Sequence, residues 1–477
     1  MKTLQFFAPL WAAIQFFAAL LAAKCARIAL RALRRNASYL PGAIALRLCP
    51  DFLARAAKPP RVIAVTGTNG KTTVSNLLRD ALETLGERVL SNRLGSNVAA
   101  GIAASLANGV TVLNRAKYAV AVFEVDERFT PKILPHLKPE LLVVTNLFRD
   151  SIMRNAHPEF IAGFIERAVP PDTRLILNAD DPISSALCRE NARVYFGLER
   201  MDGDVTDCAN LVNDMRVCPV CREELVYDYR RYHHIGRCHC PACGYASPEY
   251  GYAGQNVDFA AMSMSFRFPS GETETIPLPS DSVFNVYNLT AVAAALGELG
   301  YAPPRAAAAL NRVSVVESRY NETAAGDTTV VMQMSKGLNA IATSRACEYV
   351  AARPGRKEII LMVSCIADSK HWSENTCWLY DCDFETLADE SVTRVVAAGP
   401  RAKDFYLRLL LAGVPEERLR CVARETDAPD ALAFDGERVF ILYAADAIDI
   451  AFRVKARAMS LATEKSAEKS AMKAGAK

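Results

Sequence analysis

The run Val62-Ile63-Ala64-Val65-Thr66-Gly67-Thr68-Asn69-Gly70-Lys71-Thr72-Thr73 limits what this chain can fold into more than any other stretch. Four apolar residues predict a buried strand, and Val74-Ser75-Asn76-Leu77-Leu78 opens a helix beyond a short polar loop. A loop in that position aims free backbone N–H groups and the positive end of a helix dipole at one point, so it suits an anion. Gly67 and Gly70 let the backbone close where a Cβ would intrude. Lys71 supplies a mobile positive charge for the β- and γ-phosphates of a nucleotide, and the Thr72 hydroxyl is placed to ligate Mg²⁺. Thr68, Asn69 and Thr73 complete this set of candidate nucleotide contacts. The usual phosphate loop has four residues between its glycines; here there are two.

A chain of 477 residues exceeds one compact core, so two or three domains are expected. Its 51% hydrophobic and 23% charged content is globular. A net charge of +3, with no basic stripe interleaved with aromatics, argues against nucleic acid as a partner. Fourteen cysteines spread through a large α/β pattern fit a reducing cytosol better than a disulfide scaffold.

Residues 1–56 form an N-terminal apolar and basic segment. Thr3 to Ala23 carries no charge, and Lys24, Arg27, Arg31, Arg34 and Arg35 follow. The length just reaches a bilayer span, and the basic cluster would stay on the cytoplasmic side. Membrane contact through residues 3–35, spanning or interfacial, competes with a helix lying on the protein body. A cleaved signal peptide fits poorly, because its cut site would run into Lys24.

From Arg61 onward strands and helices alternate as in a doubly wound parallel sheet. Tyr118 to Phe123 reads as a central strand ending in Glu124-Val125-Asp126-Glu127, where Glu124 is the favoured Mg²⁺ ligand. Leu141 to Val144 ends in Thr145-Asn146-Leu147-Phe148-Arg149-Asp150, and Leu175 to Leu177 ends in Asn178-Ala179-Asp180-Asp181-Pro182. Polar residues at the ends of successive parallel strands face one crevice. Within this domain, residues 57–314, a segment at 207–249 holds Cys218-Pro219-Val220-Cys221 and, after 18 residues, Cys240-Pro241-Ala242-Cys243. Two such knuckles suit a tetrahedral Zn²⁺ held by Cys218, Cys221, Cys240 and Cys243. Cys208, Cys238, His233, His234 and His239 are nearby competitors. A closed four-thiolate site leaves no open position, so it reads as structural.

A helix over Val283 to Leu299 ends at Gly300 and Pro303-Pro304. A smaller α/β domain then occupies 315–462, with strands at Thr328 to Met334, Glu358 to Ser364, Val392 to Ala398 and Val439 to Tyr443. Residues 463–477 are rich in Lys, Ala and Ser and read as a disordered tail.

TGTNGKTT, EVDE, TNLFRD, LNADDP and Tyr195-Phe196-Gly197-Leu198 appear in the order found in the MurT subunits of lipid II isoglutaminyl synthase. By these motifs and the four-cysteine ribbon the chain resembles that family of Mur-ligase relatives. The resemblance implies ATP and Mg²⁺ as cofactors, with Asn178, Asp181, Asn285, Asn288 and Arg319 as further nucleotide contacts. It implies activation of the D-glutamate α-carboxyl of the lipid II stem peptide as an acyl phosphate. Amidation by ammonia from a GatD-type glutaminase subunit follows, in peptidoglycan biosynthesis at the cytoplasmic face of the cell membrane. Two departures stand out. After TNLFRD the family continues Gln-Leu-Asp-Arg-Tyr-Gly-Glu, where this chain has Ser151-Ile152-Met153-Arg154-Asn155-Ala156-His157. The family's C-terminal Lys-Asn-Pro-Ala-Gly-Phe-Asn aligns with Gln333 to Asn339, and its Asp-Gly-Arg-Asp motif is altered and lengthened. Asp368, Glu374 and Asp381 are therefore all candidates for the carboxylate that assists the partner's Cys/His pair. The rival readings are an amino-acid-adding Mur or folylpolyglutamate-type ligase, and a scaffold of the same fold without activity.

Overall fold

The computed structural model describes residues 2–93, 96–149, 157–278, 280–313, 320–335, 337–364 and 376–475. These fall into two compact units.

The first unit comprises described residues within 2–148, 157–208 and 214–313. Its helices are α1 (Lys2–Ala32), α2 (Leu40–Leu48), α3 (Phe52–Arg55), α4 (Lys71–Thr84), α5 (Ala99–Gly109), α6 (Thr130–Leu137), α7 (Pro158–Glu166), α8 (Val283–Glu298) and α9 (Pro303–Leu310). Its strands are β1 (Arg61–Thr66), β2 (Val89–Ser91), β3 (Val120–Glu124), β4 (Leu141–Val144), β5 (Arg174–Asn178), β6 (Arg193–Leu198), β7 (Val226–Tyr232), β8 (Ile235–His239), β9 (Tyr252–Asp258), β10 (Ser263–Arg267) and β11 (Thr273–Pro277). Nine of these form one sheet in the order β11-β10-β9-β6-β5-β4-β1-β3-β2. It is parallel from β2 to β9, and the edge pairings β9–β10 and β10–β11 are antiparallel.

The continuous apolar runs are central strands because both faces are covered. Alternate residues Val62, Ala64, Ala121, Phe123, Leu142, Val144, Leu175 and Leu177 share a core with side chains of α1, α3 and α5–α7. α4 and α8 pack together on the other face of the same sheet. The N-terminal segment is not a separate domain: Phe16, Ala19, Leu20 and Ala23 of α1 are part of that first core. Between β6 and β9 the chain leaves the sheet for the β7–β8 hairpin.

The second unit holds Arg149, 209–213 and the described residues from 320 to 475. It carries β12 (Tyr320–Ala325), β13 (Thr328–Ser335), β14 (Lys357–Met362), β15 (Val392–Ala398), β16 (Leu419–Val422) and β17 (Arg438–Ala444), with α10 (Ala340–Ala352), α11 (Ala402–Leu411) and α12 (Ile448–Gly475). The sheet order is β12-β13-β17-β14-β15-β16, parallel except for β12. One face packs against α10 and α11, the other against α12. The boundary expected at 314–315 lies outside the described residues. The ribbon expected at 207–249 gives up 209–213, which belong to the second unit: Asn210 Nδ2 donates to Glu348 Oε1 and Asp383 Oδ2 at 2.7 and 2.9 Å. The tail from 463 is helical as far as Gly475, a correction to the disorder expected there. Its Ala, Lys and Glu content is that of good helix formers, and it extends a helix already anchored through Val454, Ala458 and Ala462.

Candidate functional site

The loop after β1 is held open by its own backbone. Gly70 lies at φ +86° and caps α4, and Gly67 lies at φ +126°. A Cβ on Gly70 would stand 2.2 Å from Asn288 Oδ1, and one on Gly67 would stand 2.3 Å from Thr145 Oγ1. Neither position accepts a side chain, so strand end, loop and α8 close around one point.

The residues after β4 lock the loop. The Thr68 amide donates to Asn146 O at 2.8 Å, and the Asn69 amide donates to Asn146 Oδ1 at 3.0 Å. The Asn69 carbonyl accepts from Thr145 Oγ1 at 2.6 Å and Asn146 Nδ2 at 3.1 Å. Thr68 Oγ1 accepts the Phe148 amide at 2.9 Å and donates back to its carbonyl at 3.1 Å. The Thr-Asn-Leu-Phe segment thus reads as loop scaffolding.

Lys71 is buried, and its ammonium makes an ion pair with Glu127 Oε1 at 2.8 Å. It also donates to the carbonyls of Gly67 and Thr68, the latter at 3.3 Å. Burial alone would lower the lysine's pKa; Glu127, with Glu124 and Asp126 behind it, outweighs that and holds the ammonium above its ordinary value. The sequence favoured Glu124 and passed over Glu127. Glu124 ends β3 and Glu127 comes three residues later, where a one-turn 3₁₀ segment at Glu127–Phe129 carries the carboxylate inward. Glu124 is half-buried, its backbone gripped on both sides by Asn92 and its Oε1 accepting from Asn97 Nδ2 at 3.0 Å. Thr72 is exposed and Thr73 half-buried on the first turn of α4.

Asn178 and Asp181 stand behind the loop, with their side chains committed to the chain's own backbone. Asn178 Nδ2 donates to Thr145 O at 3.2 Å. Asp181 is fully buried and accepts the amides of Leu147 at 2.7 Å and Ile183 at 3.0 Å. Asn285 and Asn288 share the first turns of α8, linked to each other at 3.3 Å. Arg319, Asp368 and Glu374 lie outside the described residues. Asp381 is described, in the second unit, with Oδ2 3.2 Å from Arg149 Nη1.

The two cysteine knuckles are copies of one turn. In each, the residue after the second cysteine has positive φ (Arg222 +69°, Gly244 +75°). In each, that residue's amide returns to the first cysteine's carbonyl, at 3.0 and 3.1 Å. Their ligand atoms all lie within 4.8 Å of one another, with Sγ–Sγ separations of 3.5 Å for Cys218–Cys243 and 3.4 Å for Cys221–Cys240. Tetrahedral thiolates about 2.3 Å from one ion would stand a little under 4 Å apart, so the set fits such an ion. Three of the competitors are engaged elsewhere. Cys238 is buried beside Ser247, His239 pairs with Asp228 at 3.0 Å, and His234 is packed on Phe148 beside Asp181.

Sequence reasoning missed the joint that fixes this ribbon to the sheet. Arg231 of β7 sits in a buried nest with Asp180 and Asp204, at 3.1 Å from each. Asp180 also accepts from Tyr250 at 2.5 Å, Tyr287 at 2.6 Å and the Leu198 amide at 3.0 Å. Burial opposes the guanidinium's charge, but Tyr287, Asp180 and Asp204 more than offset it and raise its pKa. An aspartate pair in LNADDP and an arginine in the insertion were the available signal.

Residues 65–206 match the Mur ligase middle domain family, and residues 338–448 match the MurT ligase C-terminal family. The chain is 30% identical over 399 residues to the MurT subunit of lipid II isoglutaminyl synthase (glutamine-hydrolyzing) of Staphylococcus aureus (strain COL), covering 82% of this chain and 87% of that one. It is 28% identical to the corresponding Streptococcus pneumoniae subunit, over 84% and 88% of the two chains. Among solved structures, a pseudomurein peptide ligase type C from Methanothermus fervidus shares the fold, with a TM-score of 0.63 at 19% identity over 84% and 79% of the chains.

Proposed function

We infer the activity from one premise: this chain belongs to the family of MurT subunits of lipid II isoglutaminyl synthase, and is a carbon–nitrogen ligase of Mur-ligase descent. We propose that it activates the D-glutamate α-carboxyl of the lipid II stem peptide with ATP and amidates it to D-isoglutamine. The ammonia would come from a separate GatD-type glutaminase subunit, and the reaction would run at the cytoplasmic face of the membrane.

The observation that carries this reading is the buried Lys71 ammonium at the mouth of a glycine-shaped cradle. In the proposed reaction the backbone amides at the start of α4 and the Lys71 ammonium bind the triphosphate, and they stabilise charge as its terminal phosphoryl group moves to the carboxylate. Thr72 and Glu124 would hold Mg²⁺, which when bound neutralises phosphate charge. Asn285 and Asn288 border the loop and would position the nucleotide. Ammonia then attacks the acyl carbon, the C–O bond to phosphate breaks, and inorganic phosphate and a proton leave; water must be kept from the acyl phosphate until then. Cys218, Cys221, Cys240 and Cys243 would hold Zn²⁺, which when bound pins the ribbon's two knuckles together. Asp381 is the described member of the three carboxylates proposed to assist the glutaminase.

The test is turnover. With lipid II, Mg·ATP and ammonium, the purified protein should form ADP and an amidated stem peptide, and Lys71→Ala should abolish both. Product formed from an added amino acid instead of ammonia would refute the amidation reading.

A further inference from the structure

A helix on a protein surface normally turns its apolar side inward and its charged side to water. α1 does only the first. Its inner side is in the core, where Phe16 stacks on Phe52 at 5.3 Å and Ala19, Leu20 and Ala23 are buried. The Lys24 ammonium reaches across to the carbonyls of Ala107 and Val110 at the end of α5, both at 2.7 Å. Its outer side carries Leu10, Trp11, Ile14, Phe17, Leu21 and Ile28, exposed by 45–69%. The spacing of 10, 14, 17, 21 and 28 draws one stripe along the helix, and Ala18, Cys25 and Ala29 fill its gaps. Among the exposed side chains of α1 from Leu10 onward no charge appears before Arg31; Lys24, which the same spacing includes, and Arg27 are half-buried at the margin of the stripe. Arg31, Arg34 and Arg35 then follow, all exposed.

We propose that this outer face of α1 lies in the plane of an anionic lipid bilayer and anchors the ligase as a peripheral protein. The inference deepens the membrane-side reading above by naming the surface and the lipid. The occupant follows from charge as much as from apolarity. An apolar stripe ending in arginines matches a layer of acyl chains beneath anionic headgroups. A second copy of the helix matches it poorly: α1 contains no acidic residue to meet those arginines. Spanning is disfavoured by the same contacts. To cross the bilayer the helix would have to lift Phe16, Leu20 and Ala23 from the core and pull Lys24 from its two carbonyls. Lying flat costs none of these, and leaves Trp11 at headgroup depth, where indole is favoured.

Flotation of the full chain with vesicles tests this, without nucleotide or lipid II. The chain should float with phosphatidylglycerol-containing vesicles, weakly with pure phosphatidylcholine, and be released by high salt. Trp11→Ser/Ile14→Ser/Leu21→Ser should retain the wild-type melting temperature and lose binding to both. Arg31→Gln/Arg34→Gln/Arg35→Gln should lose about 100-fold on the anionic vesicles, near fivefold per arginine. Absence of flotation, or equal flotation by the serine variant, overturns the proposal. So does resistance to salt and carbonate extraction, which marks a span, or a wild-type dimer that the serine variant converts to monomer. Because no substrate is present, these results stand or fall apart from the turnover of Lys71→Ala, which is read in detergent micelles.

Discussion

Glu127→Gln separates two roles a carboxylate beside a phosphate-loop lysine could play. Without nucleotide, Glu127 is the counter-ion of a lysine whose side chain, like its own, is about nine-tenths buried. The variant keeps the shape and removes the charge, which leaves a buried ammonium bonded to two carbonyls, with no anion in contact and only Glu124 and Asp126 behind. Breaking one side of a buried pair costs about 3–5 kcal/mol. At roughly 2–4 °C per kcal/mol for a unit of this size, the nucleotide-free protein should melt about 6–20 °C lower. A bound phosphate supplies the missing anion. Nucleotide should therefore restore most of the lost melting temperature, and ADP should bind more tightly in the variant. A charge-assisted hydrogen bond released from competition is worth about 1.5–3 kcal/mol, or about 10- to 100-fold in Kd. Differential scanning fluorimetry and isothermal titration with ADP read both quantities. Weaker ADP binding, with a melting loss that saturating nucleotide does not recover, would refute the competition and make Glu127 the group that steadies Lys71 in the complex.

Two more outcomes concern the ribbon. Arg231→Met leaves Asp180 and Asp204 buried without their cation, so the first unit should lose about 3–5 kcal/mol in denaturant unfolding, and limited proteolysis should open within residues 205–250. Thiol modification should release one zinc per chain to a chromogenic chelator. Cys240→Ser should abolish that release and Cys238→Ser, which removes a buried thiol outside the cluster, should not.

The parts legible in the sequence share one physical cause. β1, β3, β4, β5, β14, β15 and β17 are covered on both faces, so each shows a short apolar run rich in Val, Ile, Leu or Phe between polar or turn residues. The glycines of the cradle and the paired cysteines were legible because each demands a residue type that nothing else replaces. Glu127 was not, since a run of acids at a strand end does not say which member a short 3₁₀ turn will carry inward. Nor was the division of α1, because an all-round apolar helix has no periodicity to reveal which side meets protein. Arg231 was hidden for a different reason: its two carboxylate partners lie 51 and 27 residues away, and local pattern carries no information at that range.

That joint also explains why an insertion between β6 and β9 can belong to the site and not merely hang from it. Asp180 holds the ribbon's Arg231, while its neighbour Asp181 holds the Leu147 amide in the segment that locks the phosphate loop. On α8 the same division recurs: Tyr287 donates to Asp180, and the next residue, Asn288, bears on Gly70. Two pairs of consecutive residues, one at a strand end and one on a helix, thus fix the ribbon and the loop with the same stretch of backbone. Moving either aspartate by a fraction of an ångström moves the other, because one peptide bond joins them and both side chains are buried. The ribbon is therefore part of what holds the cradle in shape.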